Sequence, residues 1–111
     1  MADTINWPGE SGAKYRYWFV DIEATIQAVS GNYMFVKKVS ATGWVPVYIG
    51  ESENLADRLP NHDRWNDAKR AGATHVMAHT TPTGESARMK EEKDLIQRWS
   101  PPLNVQHRKV S

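Results

Sequence analysis

The sequence predicts an α+β fold: a small antiparallel sheet with helices packed on it. Three observations carry that prediction. Runs rich in aromatic and β-branched residues recur at 15–22, 33–39, 44–49 and 74–81, with turn-forming residues between them. The link 40–43, Ser-Ala-Thr-Gly, has the length and the glycine of a hairpin loop, which makes the strands on either side antiparallel. Residues 85–99 place apolar side chains at helical spacing and stop before Pro101-Pro102.

The elements follow in order. Residues 1–14 hold Pro8, Gly9 and Gly12 with no periodicity and read as a loose N-terminal arm. Residues 15–22 (YRYWFVDI) form a strand, and 23–29 a short helical turn or connector ended by Ser30-Gly31. The hairpin strands come next. Pro46, which has no amide to donate, pushes the second of them to a sheet edge or a bulge. Ser52 is a candidate N-cap for a helix reaching Leu59, where Pro60 stops it. Asn61 caps another that runs to about Arg70 and ends at Gly72. Residues 74–81 form a further core strand, and Thr83 caps the final helix.

Length and composition bound the function. The 111 residues make one domain; 40% are hydrophobic and 24% charged, an ordinary globular composition. Fourteen Lys plus Arg against thirteen Asp plus Glu leave a net charge of +1, which excludes a non-specific polycation. With no cysteine there is no disulfide, thiol nucleophile or thiolate metal site. No run approaches the ~18–20 apolar residues of a membrane span. Residues 1–6 lack a basic start leading into an apolar stretch, so a cytoplasmic protein is expected. Most of the five tryptophans are expected to anchor the core.

One residue of the last helix breaks its pattern. Met89, Leu95, Ile96 and Trp99 gather on one face, while Lys90, Glu91, Lys93, Asp94, Gln97 and Arg98 lie elsewhere as a solvent face should. Glu92 falls inside the apolar stripe. An inward carboxylate costs several kcal/mol unless paired or metal-bound, so it is either half of an ion pair with Arg88 or Arg58, or a metal ligand or acid–base group in a cleft. After the hairpin Leu55, Leu59 and His62 would share a face that Arg58 flanks, unless Pro60 puts His62 in a turn, and a surface salt bridge to Asp57 or a near neighbour is the plain role for Arg58. Tyr33 and Tyr48 lie on adjacent strands, so two phenols, a guanidinium, an imidazole and a carboxylate could converge on one side of the sheet. His75 and His79, four apart in a strand-like run, read as structural.

These residues resemble the GIY-YIG nuclease family. Gly31-Asn32-Tyr33 is similar to its first motif and Tyr48-Ile49-Gly50 is its second. Arg58 followed four residues later by His62 matches the next segment, and Glu92, Leu95-Ile96, Pro101 and Asn104 match the closing one. The resemblance covers residues 31–104. It divides the chain into 1–30, an arm with an additional strand and connector; 31–104, the nuclease-like domain; and 105–111, a basic tail.

The resemblance implies a three-stranded antiparallel sheet flanked by helices, with 15–22 as an addition. It also implies endonucleolytic hydrolysis of phosphodiester bonds in DNA with one divalent ion, Mg²⁺ or Mn²⁺, held by Glu92 as its sole protein ligand. Tyr33 would be the general base and Tyr48 its partner. Arg58 would hold the scissile phosphate, His62 would assist the tyrosines as a proton acceptor, and Asn104 would support the site. A metal ion and a planar guanidinium suit an anionic substrate whose charge grows during attack. Lys37, Lys38, Arg64, Lys69, Arg70 and Arg88 are the expected nucleic-acid contacts, joined by His107, Arg108 and Lys109 of the tail. Two other readings stand beside this one. The chain could be a binding module for nucleic acid or protein that keeps the fold without catalysis, or the aromatic segment 15–20 could pair with a second subunit or a partner protein.

Overall fold

Alternation along a single interior strand organises the molecule into three layers. A computed structural model describes residues 4–20, 26–41, 43–60 and 62–104. Its strands are β1 (Thr4–Pro8), β2 (Lys14–Val20), β3 (Gly31–Lys38), β4 (Trp44–Ser52) and β5 (His75–Thr80). Its helices are α1 (Leu55–Arg58), α2 (Trp65–Arg70) and α3 (Glu85–Trp99). The strands form one sheet in the order β1-β2-β5-β3-β4, with every neighbouring pair antiparallel. Along β3, Tyr33 and Phe35 point to one face and pack with Leu55, Leu59 and Ala68 of the α1–α2 region. Met34 and Val36 point to the other and pack with Leu95 of α3, Met77, Ile49, Tyr17 and Trp7. Helices thus cover both faces of the sheet, and among the described residues no helix is long and apolar enough to cross a membrane.

The sheet has five strands rather than three. β2 pairs with β5 and β1 pairs with β2, so the N-terminal segment extends the same sheet instead of lying apart from it. The reading of residues 1–14 as a loose arm is therefore corrected. Ile5 and Trp7 alternate inward, a strand pattern too short to stand out beside Pro8, Gly9 and Gly12. Pro8 is tolerated because it closes the outermost strand, where no ladder amide is required. Gly12 takes φ +93 in the connecting loop, a conformation that favours glycine. Of the 23–29 connector and the 15–22 strand, residues 21–25 lie outside the described residues, as do Asn61 and residues 105–111.

Asp94 fixes this added hairpin to α3. Its carboxylate accepts hydrogen bonds from Ser11 N (2.8 Å), Ser11 Oγ (2.7 Å) and the Tyr15 hydroxyl (2.7 Å). Trp99 Nε1 donates to the Pro8 carbonyl at 2.9 Å. Periodicity alone puts Asp94 on the solvent face, because it cannot register a loop folding back over a helix. Burial pushes its pKa up, but the bonds from Tyr15 and Ser11 outweigh that and lower it. Asp94→Ala is expected to destabilise the fold by about 1–3 kcal/mol in chemical denaturation at neutral pH. Because the folded pKa is depressed, the deficit should shrink as acid protonates the wild-type carboxylate. An unchanged midpoint would show that the hairpin is held by its apolar contacts alone.

At the other edge, Pro46 behaves as its chemistry requires. β4 is an edge strand, and its register with β3 shifts so that Tyr48 opposes Phe35 while Pro46 opposes Val36, leaving Val47 as the extra residue of a bulge. The helix caps differ from the sequence reading. Asn54, not Ser52, caps α1, its Oδ1 accepting from Ala56 N at 3.0 Å and Asp57 N at 3.4 Å. The Ser52 hydroxyl instead closes a turn on the Asn54 backbone. α3 begins at Gly84, φ +112, without a side-chain cap from Thr83. Either substitution of cap moves a helix start by one or two positions, within the reach of competing nearby polar side chains. Met89, expected on the buried face, is 53% exposed, whereas Arg88 beside it is buried.

Candidate functional site

Tyr33 sits on β3, the strand beside the edge strand β4, is 1% exposed, and faces the α1–α2 layer. Directly across the β3–β4 ladder is Gly50. A Cβ on Gly50 would lie 2.5 Å from Tyr33 Cζ and closer still to the hydroxyl, so only glycine leaves room for the phenol. Tyr48, two residues earlier on β4, brings its ring to 6.3 Å from that of Tyr33, centroid to centroid. Between them stands His62, whose ring meets Tyr33 at 5.2 Å and Tyr48 at 5.5 Å, both edge-on. Phe35 closes the cluster at 4.8 Å from His62.

The hydrogen bonds of His62 assign its proton. Nδ1 accepts the Arg64 backbone N–H at 2.9 Å. A neutral ring must then carry its hydrogen on Nε2, which lies 2.5 Å from the Tyr33 hydroxyl oxygen. Burial, reinforced by the Arg58 guanidinium, lowers the His62 pKa from 6.5 to about 4, so the ring is neutral at pH 7. His62 therefore donates to Tyr33 and is not placed to accept its proton, which corrects the expected role. The depressed pKa means that this part of the fold loses stability as pH falls from about 6.5 toward 4.

Arg58 comes from the end of α1, with its side chain 42% exposed and Nη2 3.1 Å from Asp63 Oδ1. The salt bridge expected with Asp57 is thus made with Asp63. Burial holds the Tyr33 phenol far above its usual pKa and Tyr48 adds to the shift, while Arg58 opposes both. Tyr48 is also raised, first by burial and then by the charge of Glu92.

Glu92 projects from α3 and is half-buried. Neither proposed ion pair forms: Arg88 Nε bonds Glu51 at 2.9 Å, and Arg58 bonds Asp63. Among the described residues Glu92 has no hydrogen-bond or salt-bridge partner. Burial and then the nearby charge of Glu51 push its pKa up to about 7. Its charge acts on both Tyr33 and Tyr48. The described residues contain no group of three or more His, Asp or Glu suited to a metal. A half-buried carboxylate that has no partner among the described residues nonetheless fits a hard divalent ion such as Mg²⁺, which binds through one or two carboxylates and keeps most of its waters.

Asn104 supports the site from behind. Its Oδ1 accepts Ile49 N–H at 2.8 Å and its Nδ2 donates to the Ile49 carbonyl at 2.9 Å. The amide thereby satisfies the outward backbone groups of an edge strand at the centre of Tyr48-Ile49-Gly50 and touches none of the phenols.

The expected nucleic-acid cations scatter. Arg88, at 7% exposed and bonded to Glu51, is not a surface cation, a correction that follows from its lying one turn before Glu92 on the inward side of α3. Arg64 and Arg70 both reach Asp67, the former at 3.4 Å. The Lys69 ammonium lies 5.7 Å from the Trp65 ring centroid and that of Lys38 5.6 Å from Trp44. Lys37 and Lys38 stand at the opposite end of β3 from Tyr33, with the Lys37 stem against Gly72. The sequence reading also missed a polar cluster on the other face, where Glu91 accepts from buried Asn32 and from Thr81. Glu91 follows an apolar helix position by two and looked like plain surface charge; only the β3 and β5 neighbours reveal it. No protein-family model, curated protein or solved structure matches the chain.

Proposed function

We propose that this protein is a metal-dependent endonuclease of the GIY-YIG type that hydrolyses phosphodiester bonds in DNA. The observation that supports it best is the meeting of Tyr33, Tyr48, His62 and Arg58 around one cluster, with the carboxylate of Glu92, unpaired among the described residues, within electrostatic reach. The rings of Tyr33, Tyr48 and His62 pack with Phe35 in the core, whereas Arg58 and Glu92 bring charged groups to its edge.

In this reading Glu92 would hold a divalent ion, which would supply positive charge to offset that of the scissile phosphate. Arg58, partly exposed at the rim, offers its guanidinium to the same phosphate. His62 donates to the Tyr33 oxygen and Arg58 adds a second positive influence, so both favour the phenolate that accepts a proton from the attacking water. Tyr48 packs edge-on against His62. Asn104 keeps the Tyr48–Gly50 backbone in register with Tyr33.

Supercoiled plasmid incubated with the protein should be nicked in Mg²⁺ or Mn²⁺ and left intact in EDTA. Arg58→Ala should slow nicking about 10²–10³-fold, the usual loss when one donor to a developing oxyanion is removed. Retained DNA binding without nicking under any divalent ion would instead identify a binding module built on the same scaffold.

A further inference from the structure

The face of the sheet opposite Tyr33 holds a second polar centre that the proposed nuclease reaction does not use. Glu91 Oε1 accepts hydrogen bonds from Asn32 Nδ2 at 2.8 Å and Thr81 Oγ1 at 2.5 Å. These bonds fix the carboxylate and leave Oε2 without a hydrogen bond among the described residues. Facing Oε2 at 3.7 Å is His79 Nε2. The other ring nitrogen of His79, Nδ1, lies 2.8 Å from the Arg16 carbonyl oxygen. A carbonyl only accepts, so Nδ1 carries the hydrogen, and in the neutral ring the lone pair of Nε2 is turned toward Glu91.

Two buried polar atoms at this centre have no partner among the described residues: Asn32 Oδ1 and the Tyr17 hydroxyl. Both residues are fully buried. Asn32 Oδ1 shares its amide with the nitrogen bonded to Glu91, and the Tyr17 ring stacks on His79 at 5.4 Å. Leaving a buried polar group unsatisfied is unfavourable, which favours a bound species that would satisfy both.

The spacing separates an ion pair from a metal bridge. A charge-assisted bond between imidazolium and carboxylate closes to about 2.7–2.9 Å, well short of the 3.7 Å found. Two tetrahedral zinc ligands, each ~2.0–2.1 Å from the metal, stand about 3.3–3.4 Å apart. A few tenths of an ångström of side-chain motion would reach that. An imidazole oriented by a backbone carbonyl on its far nitrogen is also the usual arrangement for a metal-binding histidine.

We propose that His79 Nε2 and Glu91 Oε2 bind a divalent transition metal of the zinc class, with Asn32 Oδ1 and the Tyr17 hydroxyl holding its water ligands. The His79 and Glu91 side chains are 19% and 22% exposed, which leaves an entry path. An imidazole ligand selects zinc over Mg²⁺, so the centre is chemically distinct from Glu92 and does not rest on the nuclease reading. The ion would tie β5 to α3 and stabilise the fold by binding the native state.

The test is a zinc titration of metal-free full-length protein followed by side-chain NMR of the histidines, with thermal melting in parallel. The His79 Nε2 resonance should shift and the melting temperature rise. Glu91→Gln should weaken the zinc response read at His79 at least about 10-fold. Should Glu91→Gln fail to fold, the wild-type spectrum decides. A His79 resonance unmoved by millimolar zinc, a response confined to other histidines, or full affinity in a folded Glu91→Gln protein would overturn the proposal.

Discussion

Glu92→Gln is expected to reduce metal-dependent nicking by about 10³-fold or more, with the fold intact. A neutral amide is nearly the same shape as the carboxylate but offers a hard cation no charge, and the described residues hold no group of three or more His, Asp or Glu that could bind the ion instead. The loss corresponds to about 4 kcal/mol of transition-state stabilisation. The same substitution should affect stability in the opposite sense. Glu92 has its pKa raised from 4.5 to about 7, so the metal-free wild type loses stability as pH rises through that interval and the carboxylate ionises without a partner. The amide variant has no such loss. Metal-free Glu92→Gln should therefore be at least as stable as wild type above pH 7. Equal nicking rates, or a variant destabilised above pH 7, would contradict the role assigned to this carboxylate.

Tyr33→Phe is expected to lower the rate about 10²–10⁴-fold, the range for removal of a general base. The ring remains, so packing against Phe35, Tyr48 and His62 is kept, and only the hydroxyl bonded to His62 is lost. The pH profile separates this from a structural effect. A phenol at its ordinary pKa of ~10 is ionised in only about one molecule per thousand at pH 7. Burial in this site raises the Tyr33 pKa further, with Arg58 opposing. The wild-type rate should thus climb with pH from neutral into the alkaline range, in proportion to the phenolate fraction. In Tyr33→Phe that slope should vanish along with the rate. A parallel slope in both proteins would assign the base elsewhere.

The sequence carried the central strands and α3 well, because their patterns are strong and local. The 40–43 loop, the edge position of Pro46 and the stop at Pro101 follow from backbone chemistry that no tertiary contact can override. The five-strand sheet was not legible. β1 has only two inward residues, Ile5 and Trp7, and its partner contacts lie across the loop and on α3. The convergence of Tyr33, Tyr48, Arg58 and His62 could be inferred from their spacing along adjacent elements, but the direction of the Tyr33–His62 hydrogen bond could not. It depends on the Arg64 amide at Nδ1. In the same way, periodicity singled out Glu92 and overlooked Glu91, because helical spacing reports a face and not what the sheet places opposite it. Arg88 shows the converse failure. It looked like a free cation until Glu51 on the edge strand took it.

The most direct measurement is the binding of Mn²⁺ to the full chain, followed by electron paramagnetic resonance, in wild type and in Glu92→Gln across pH 5.5 to 8.5, a range chosen to bracket the Glu92 pKa of about 7. The wild type should bind an ion, with affinity falling about tenfold per unit as pH drops below 7 and the carboxylate takes up its proton. Glu92→Gln should lose that ion and its pH dependence together. Unchanged affinity in the variant, or wild-type binding indifferent to pH across this range, would contradict a metal centre on Glu92.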